Sequence, residues 1–92
     1  MANNRYQIVG AWSREGDEDV EGADGTRYRV ITETATLRDV QTSTDYREGA
    51  YRVRVTPSAS RFRARTFRGE TAWMDAQRYA RDAVAGIRFG GN

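Results

Sequence analysis

The sequence predicts an α+β domain in which an antiparallel sheet of about four strands carries one carboxy-terminal helix on one of its faces. Apolar residues and arginines alternate through residues 50 to 56 and 61 to 67, which is the period of a strand with one buried face. Between residues 71 and 87, small apolar residues recur at intervals of three and four, which is typical of a helix with one buried stripe. The 92 residues suffice for a single domain, which we place at residues 1 to 87, with a frayed tail at 88 to 92.

Four segments show the alternation that predicts strands: residues 5 to 13, 26 to 40, 50 to 56 and 61 to 67. Gly10 marks the place for a bulge in the first strand, and the second strand is expected to bend near Thr34. The pair Asp24-Gly25 predicts the turn that leads into the second strand. Polar residues 41 to 49 predict a turn or loop, and the connection at residues 57 to 60 joins the last two strands as a hairpin.

A core is predicted between the sheet and a helix of about four turns. The helix contributes an apolar stripe of Ala72, Ala76, Tyr79, Ala80, Ala83, Val84 and Ile87. The aromatic residues expected to face this core are Tyr6, Trp12, Tyr28, Tyr51, Phe62 and Tyr79. Thr71 has the chemistry of an N-cap, since its hydroxyl can accept a hydrogen bond from the backbone of the first turn. Gly86 is expected to end the helix in a left-handed conformation.

Residues 14 to 25 are predicted to form a mobile surface loop. They hold three glycines and six acids, a composition that does not pack into a core. The acids do not fit a calcium-binding loop, because a twelve-residue EF-hand loop starting at Asp17 would need glutamate where Tyr28 stands. We therefore expect no bound metal here and interpret the segment as a solubilising loop or as a competitor for the arginines described below.

The composition excludes most catalytic chemistry. The chain has no cysteine and no histidine, and therefore no thiol nucleophile, no imidazole base and none of the usual zinc ligands. Asp75 and Asp82 are seven residues apart on an exposed helix face and not in a cleft, so they do not form an acid and base pair. No apolar stretch approaches the roughly 18 residues of a membrane span. We expect a soluble, cytoplasmic protein that is not an enzyme and carries no cofactor.

The basic residues predict a charged surface. All 15 are arginines, and their distribution is uneven, since residues 1 to 25 hold two arginines and six acids whereas residues 26 to 92 hold 13 arginines and seven acids. Residues 50 to 68 contain six arginines and no acid. Charge segregation of this kind is typical of a protein that meets a polyanion.

The alternation predicts that seven arginines share the outer face of the sheet, which is the face turned away from the helix: Arg27, Arg29, Arg52, Arg54, Arg61, Arg63 and Arg65. Like charges opposite each other on paired strands repel, so such a face needs a compensating partner. Phosphates suit this role because a guanidinium can bind two of their oxygens at once, and DNA or another polyanion is therefore the expected partner. The alternative is an ordinary solvated face, with the acids of residues 14 to 25 folded over it.

The run from residue 66 to residue 79 resembles a known DNA-binding family. Its Thr66, Phe67, Thr71, Ala72, Ala76 and Tyr79 are similar to the T-F-x-T-A-x-x-A-A-x-A-Y run of AP2-type DNA-binding domains and of some phage and transposon integrase amino-terminal domains, with two residues inserted after Phe67. In that family the sheet lies in the major groove. The resemblance therefore implies base or phosphate contacts for Arg52, Arg54, Arg61, Arg63 and Arg65.

Residues 68 to 82, RGETAWMDAQRYARD, also resemble small proteins of actinobacterial phages that share an E-T-A-W-x-D-A-x-R-Y-A core. This resemblance implies a phage or prophage origin and a location in the cytoplasm of a bacterial host. Two functions stay open: nucleic-acid binding through the arginines, or a protein-interaction module that docks a host or phage protein or assembles with itself. For the second function, an unpaired edge strand at residues 5 to 13 or 61 to 67 could add to a partner's sheet.

Overall fold

The protein is a four-stranded antiparallel sheet with one carboxy-terminal helix, which confirms the predicted α+β class. The structure is a computed structural model, and it describes residues 4 to 58 and 61 to 90. In chain order the elements are β1 (Tyr6–Glu21), β2 (Arg27–Asp39), β3 (Thr44–Thr56), β4 (Arg65–Arg68) and α1 (Ala72–Arg88). The strands lie in the order β1-β2-β3-β4, so β1 and β4 are the two edges of the sheet.

The core lies between the sheet and α1. Its buried members are Val20, Tyr28, Val30, Tyr51, Val53, Val55, Ala72, Ala76, Ala83 and Ile87. The buried alanines at the helix surface have no long side chains, so the helix axis can lie close to the strands. Ile31, Ala35 and Leu37 are also buried, but they do not belong to this cluster, and they lie on the outer face of β2.

β1 is longer than predicted, and the interpretation of residues 14 to 25 as a loop is wrong for most of that segment. The strand continues to Glu21, with register shifts between Val9 and Ser13 and between Arg14 and Gly16. The predicted bulge is confirmed, because Gly10 lies in the first shift and has a φ of 77°. The acids can form part of a strand because arginines of β2 lie opposite them in the register. This pairing depends on the strand register and is not visible in the local sequence.

The turn between β1 and β2 is the predicted one. Gly22 N–H donates to the Thr26 carbonyl at 2.7 Å, and the Asp24 carboxylate accepts from Thr26 N–H at 2.9 Å. Gly25 has a φ of 86°, a left-handed conformation that favours glycine. This hydrogen-bonded turn replaces the mobile loop that the composition predicted.

β3 begins at Thr44, so the predicted loop at residues 41 to 49 is wrong for residues 44 to 49. The strand is irregular there: the register shifts between Ala35 and Leu37 of β2, and Glu48 has a φ of 58°. The extra residues of this shift lie in β3, and β2 runs unbroken through Thr34 from Arg27 to Asp39. At the end of β2, Asp39 is 2% exposed and accepts a hydrogen bond from Arg5 Nη2 at 2.9 Å, which links β2 to the residue before β1.

The predicted fourth strand at residues 61 to 67 is only partly correct, since β4 covers Arg65–Arg68 and residues 61 to 64 are irregular. Phe62 and Phe67 are five residues apart and would face opposite sides of a regular strand. Both rings nevertheless pack against Tyr79, with centroid distances of 6.1 and 5.9 Å. The chain must therefore leave strand geometry between the two phenylalanines. Residues 59 and 60 of the predicted connection lie outside the described residues.

α1 confirms the predicted stripe but differs at both ends. Thr71 is the N-cap residue, but its hydroxyl donates to the Asp75 carboxylate at 2.9 Å and does not cap the backbone. Gly86 does not end the helix, which continues to Arg88, and Gly90 takes the left-handed conformation at a φ of 64°. Arg88 is thus helical and not part of a tail, and residues 91 and 92 lie outside the described residues.

Among residues 4 to 58 and 61 to 90, no helix has the length and apolar character that crossing a bilayer requires.

Candidate nucleic-acid interface

Four of the seven predicted arginines lie together on the outer face of the sheet: Arg27, Arg29, Arg52 and Arg54. In β2 they alternate with the core residues Tyr28 and Val30, and in β3 they alternate with Tyr51, Val53 and Val55. The period of two therefore turns the arginines away from α1. For these residues the predicted orientation is confirmed.

Acids of β1 neutralise the arginines of β2. The Asp17 carboxylate accepts from Arg29 Nε at 3.1 Å and also contacts its Nη2, and Asp19 lies 3.8 Å from the same guanidinium. Glu21 lies 3.9 Å from Arg27. The hydrogen bond from Arg29 holds the pKa of Asp17 below its ordinary value, so this carboxylate stays ionised beside the arginine. The arginines of β2 thus have internal counter-charges.

Glu33 contacts both of the predicted site arginines in β3. It is 8% exposed, and its Oε1 accepts from Arg52 Nε and from Arg54 Nε, each at 2.9 Å. Burial on its own raises the pKa of Glu33, but the hydrogen bonds from Arg54 and Arg52 outweigh burial, and the resulting pKa is below the ordinary value. One carboxylate therefore serves two guanidinium groups and holds them in place.

Trp12 also occupies the outer face. The Arg52 guanidinium lies 4.4 Å from the centre of the Trp12 ring, a distance at which a cation and an aromatic face attract. The prediction that Trp12 faces the core is wrong, because the register shift in β1 changes which side of the sheet the residue faces. Tyr6 is likewise 41% exposed and lies outside the core cluster. The central arginines are thus engaged by a carboxylate and an indole of the same chain.

The other three predicted arginines do not join this group. Arg65 pairs with the core residue Val53, so it lies on the helix side of the sheet, with its guanidinium 5.2 Å from the Phe67 ring centre. Arg61 and Arg63 belong to the irregular segment before β4, where Tyr79 O–H donates to the Arg63 carbonyl at 2.7 Å. The prediction that all seven arginines share the outer face is wrong, because the regular alternation of side chains between the two faces does not continue through residues 61 to 64.

These residues instead form the basic edge, which we define as residues 61 to 68. Its arginines are Arg61, Arg63, Arg65 and Arg68, and all of them are exposed. Among the residues that the structure describes, none of them has a carboxylate within 4 Å. Residues 49 to 69 contain no acid, so local charge compensation is absent from the sequence of this edge as well.

Aromatic rings support the basic edge from the helix side. The Arg61 guanidinium lies 4.9 Å from the Phe62 ring centre, and that of Arg65 lies 5.7 Å from the ring of Tyr79. A shallow groove of about 320 Å³ runs beside Arg65 and is lined by Phe67, Asp75, Arg78, Tyr79 and Asp82.

Arg68 was not among the predicted site residues. The signal that could have identified it is the acid-free run of residues to which it belongs.

The idea that the acidic segment acts as a displaceable cover is also corrected. Residues 15 to 21 form part of β1 and are hydrogen-bonded into the sheet beside β2. Asp17 reaches the outer face from within the sheet, so its contact with Arg29 does not require a loop to fold over. Removing this segment from the arginines would require breaking the pairing of two strands.

Comparisons of the chain with protein-family models, with curated proteins and with solved structures found no match.

Proposed function

We propose that the protein binds nucleic acid through the basic edge, by contacts of arginine with the phosphate backbone. The observation that carries the proposal is the exposure of Arg61, Arg63, Arg65 and Arg68 without a carboxylate partner among the described residues. An arginine that already binds an ionised carboxylate must give up that contact before it binds a phosphate. The arginines of the basic edge have no such contact to give up, whereas Arg29, Arg52 and Arg54 each have one.

The expected mode of binding is independent of base sequence. Four guanidinium groups that each neutralise a phosphate would give a slope of about −4 for the logarithm of affinity against the logarithm of salt concentration on duplex DNA. Phosphate contacts fix position along the backbone but carry no base information. We therefore expect similar affinities for unrelated duplexes of equal length.

The first test replaces two arginines of the basic edge, Arg63→Gln with Arg68→Gln. A titration of labelled duplex DNA at low salt should show an affinity that is roughly 10- to 100-fold weaker, and the salt slope should become shallower by about 2. A matched control is Arg27→Gln with Arg38→Gln, which makes the same change in net charge. Arg27 and Arg38 are exposed arginines that already lie beside Glu21 and Asp45.

The control variant should keep the wild-type salt slope and lose less than about threefold in affinity. If both variants lose the same affinity, binding follows the overall charge and not the basic edge. If the wild-type protein does not bind duplex DNA at low salt, nucleic-acid binding itself is wrong. Circular dichroism and thermal unfolding of each variant establish that the fold is retained.

A second candidate function is that of a protein-interaction module, and the specific observation in its favour is the pair of unpaired sheet edges at β1 and β4. A partner strand could hydrogen-bond to either edge. Both functions are compatible with a phage-encoded protein acting in the cytoplasm of a bacterial host, which stays part of the proposal. A pull-down with the variant that carries Arg63→Gln and Arg68→Gln separates the two functions for a partner that binds at β1, since that partner would be retained.

A further inference from the structure

The two edge strands of the sheet carry opposite charges. We define the acidic edge as residues 15 to 21 of β1, which contain five acids and no arginine. The basic edge at the other side of the sheet contains four arginines and no acid. Glu18, Asp19 and Glu21 have side chains that are 57 to 68% exposed, and each lies within 4 Å of an arginine of a neighbouring element, namely Arg88, Arg29 and Arg27. Counted by their own residues, the two edges therefore have opposite charges, −5 for residues 15 to 21 and +4 for residues 61 to 68, and pairing with another copy must share or replace the contacts that the acids already make.

The strand order makes these two edges compatible with each other. The four strands alternate in direction, so β1 and β4 run antiparallel to each other. The register places Arg65 level with Gly16, so a second copy in the same orientation, moved sideways along the sheet and shifted by a few residues along the strands, would bring its acidic edge antiparallel to the β4 of the first copy. The antiparallel hydrogen-bond pattern would then continue across the contact, with the helices of both copies on the same side.

Charge decides which edges can meet. Two acidic edges repel each other, and so do two basic edges, because like charges opposite each other on paired strands are destabilising. Natural sheets use edge charges in this way to prevent pairing between edges. Here, however, the two edges differ in sign, so the charges oppose both symmetric pairings and favour the pairing of an acidic edge with a basic edge.

We propose that the partner of each edge is a second copy of this chain, and that copies associate head to tail, the acidic edge of one against the basic edge of the next. Such a contact uses two different surfaces, so each added copy exposes a new edge of each kind. The assembly is therefore open-ended, and the twist of the sheet gives it a helical course. This inference names the partner for the second candidate function and does not depend on nucleic-acid binding.

The test uses two charge-reversal variants. The acidic-edge variant carries Glu15→Arg, Asp19→Arg and Glu21→Arg, which changes the charge of residues 15 to 21 from −5 to +1, and the basic-edge variant carries Arg61→Glu, Arg65→Glu and Arg68→Glu, which changes the charge of residues 61 to 68 from +4 to −2. In the first, both edges are basic, and in the second, both are acidic. Light scattering at about 25 mM salt should show a wild-type mass that rises with protein concentration beyond a dimer, while each variant alone stays a monomer.

The decisive sample is an equimolar mixture of the two variants. Each basic edge then has an acidic edge available on the other variant, so the mixture should assemble as the wild type does. A control, Arg38→Glu with Asp45→Arg, reverses two exposed charges that pair with each other between the central strands β2 and β3, and it should assemble normally. The assembly should weaken at about 300 mM salt, where charges are screened within several ångströms.

The proposal is overturned if the wild-type protein is a monomer at all concentrations, if it stops at a dimer, or if the mixture stays monomeric. All these measurements are made without nucleic acid. Failure of self-assembly therefore leaves the DNA titration informative, and failure of the DNA titration leaves self-assembly informative. A folded monomer for each variant, shown by circular dichroism, excludes loss of structure as the cause.

Discussion

At the scale of single residues, Glu33 determines the chemistry of the outer face. It lies opposite Arg14 and Arg52 in the strand register, and its carboxylate accepts hydrogen bonds from Arg52 and Arg54. The sequence predicted the outward direction of these arginines correctly, because the alternation of β3 is regular. The sequence analysis did not identify their counter-ion, since Glu33 lies about 20 positions away in the chain and only the strand register brings it close.

Replacing Glu33→Gln should lower the free energy of unfolding by about 2 kcal/mol at neutral pH, since two charge-assisted hydrogen bonds become weaker. The pKa of Glu33 is lowered in the folded state, so the stabilisation is fully present above the ordinary pKa of glutamate and is lost as pH falls through the lower folded value. Urea unfolding between pH 7 and about pH 3 should therefore show the wild-type and variant curves converging below about pH 4. A difference that stays constant over that range would contradict an ionised Glu33 as the source.

At the scale of elements, the segment before β4 shows where sequence periodicity fails. The alternation predicted a regular strand through Phe62 and Phe67. Instead, both rings pack against Tyr79 of α1, which a regular strand would not allow. Gly86 of the helix is the reason that Phe62 fits, since a Cβ atom added there would lie 2.5 Å from Phe62 Cζ. The glycine was interpreted as a helix stop from the sequence, because close approach of a distant ring leaves no local signal.

Replacing Gly86→Ala tests this contact between elements. In the wild-type background it should lower the free energy of unfolding by about 1 to 2 kcal/mol, because displacing the Phe62 ring costs more than the alanine gains in helix propensity. In a Phe62→Ala background the same change should raise the free energy of unfolding by about 0.5 to 1 kcal/mol. Denaturant unfolding of the four proteins gives the coupling directly. Equal effects in both backgrounds would show that the glycine at position 86 is not needed to accommodate the Phe62 ring.

At the scale of the whole molecule, the separation of charge along the sequence becomes a separation in space. The sequence analysis identified the acidic amino-terminal quarter and the acid-free stretch of arginines. It predicted a loop for the acidic segment, because composition alone does not show that these acids pair with a strand that carries arginines. The strand order then carries the two charged segments to opposite edges of one sheet. The four predicted arginines on the outer face contact carboxylates of the same chain, whereas, among the described residues, the arginines of the basic edge do not.

The two proposals use the same basic edge, so DNA and the β1 of a neighbouring copy are expected to exclude one another. Because coupling between two binding equilibria is reciprocal, DNA should weaken self-assembly by the factor by which self-assembly weakens DNA binding. Adding a short duplex to assembled protein should thus lower the mass per particle towards single DNA-bound copies. The acidic-edge variant should lose assembly but bind DNA at least as tightly as the wild type, whereas the basic-edge variant should lose both. Affinity for DNA that rises with assembly, measured by titration at increasing protein concentration, would show instead that the two partners occupy separate surfaces.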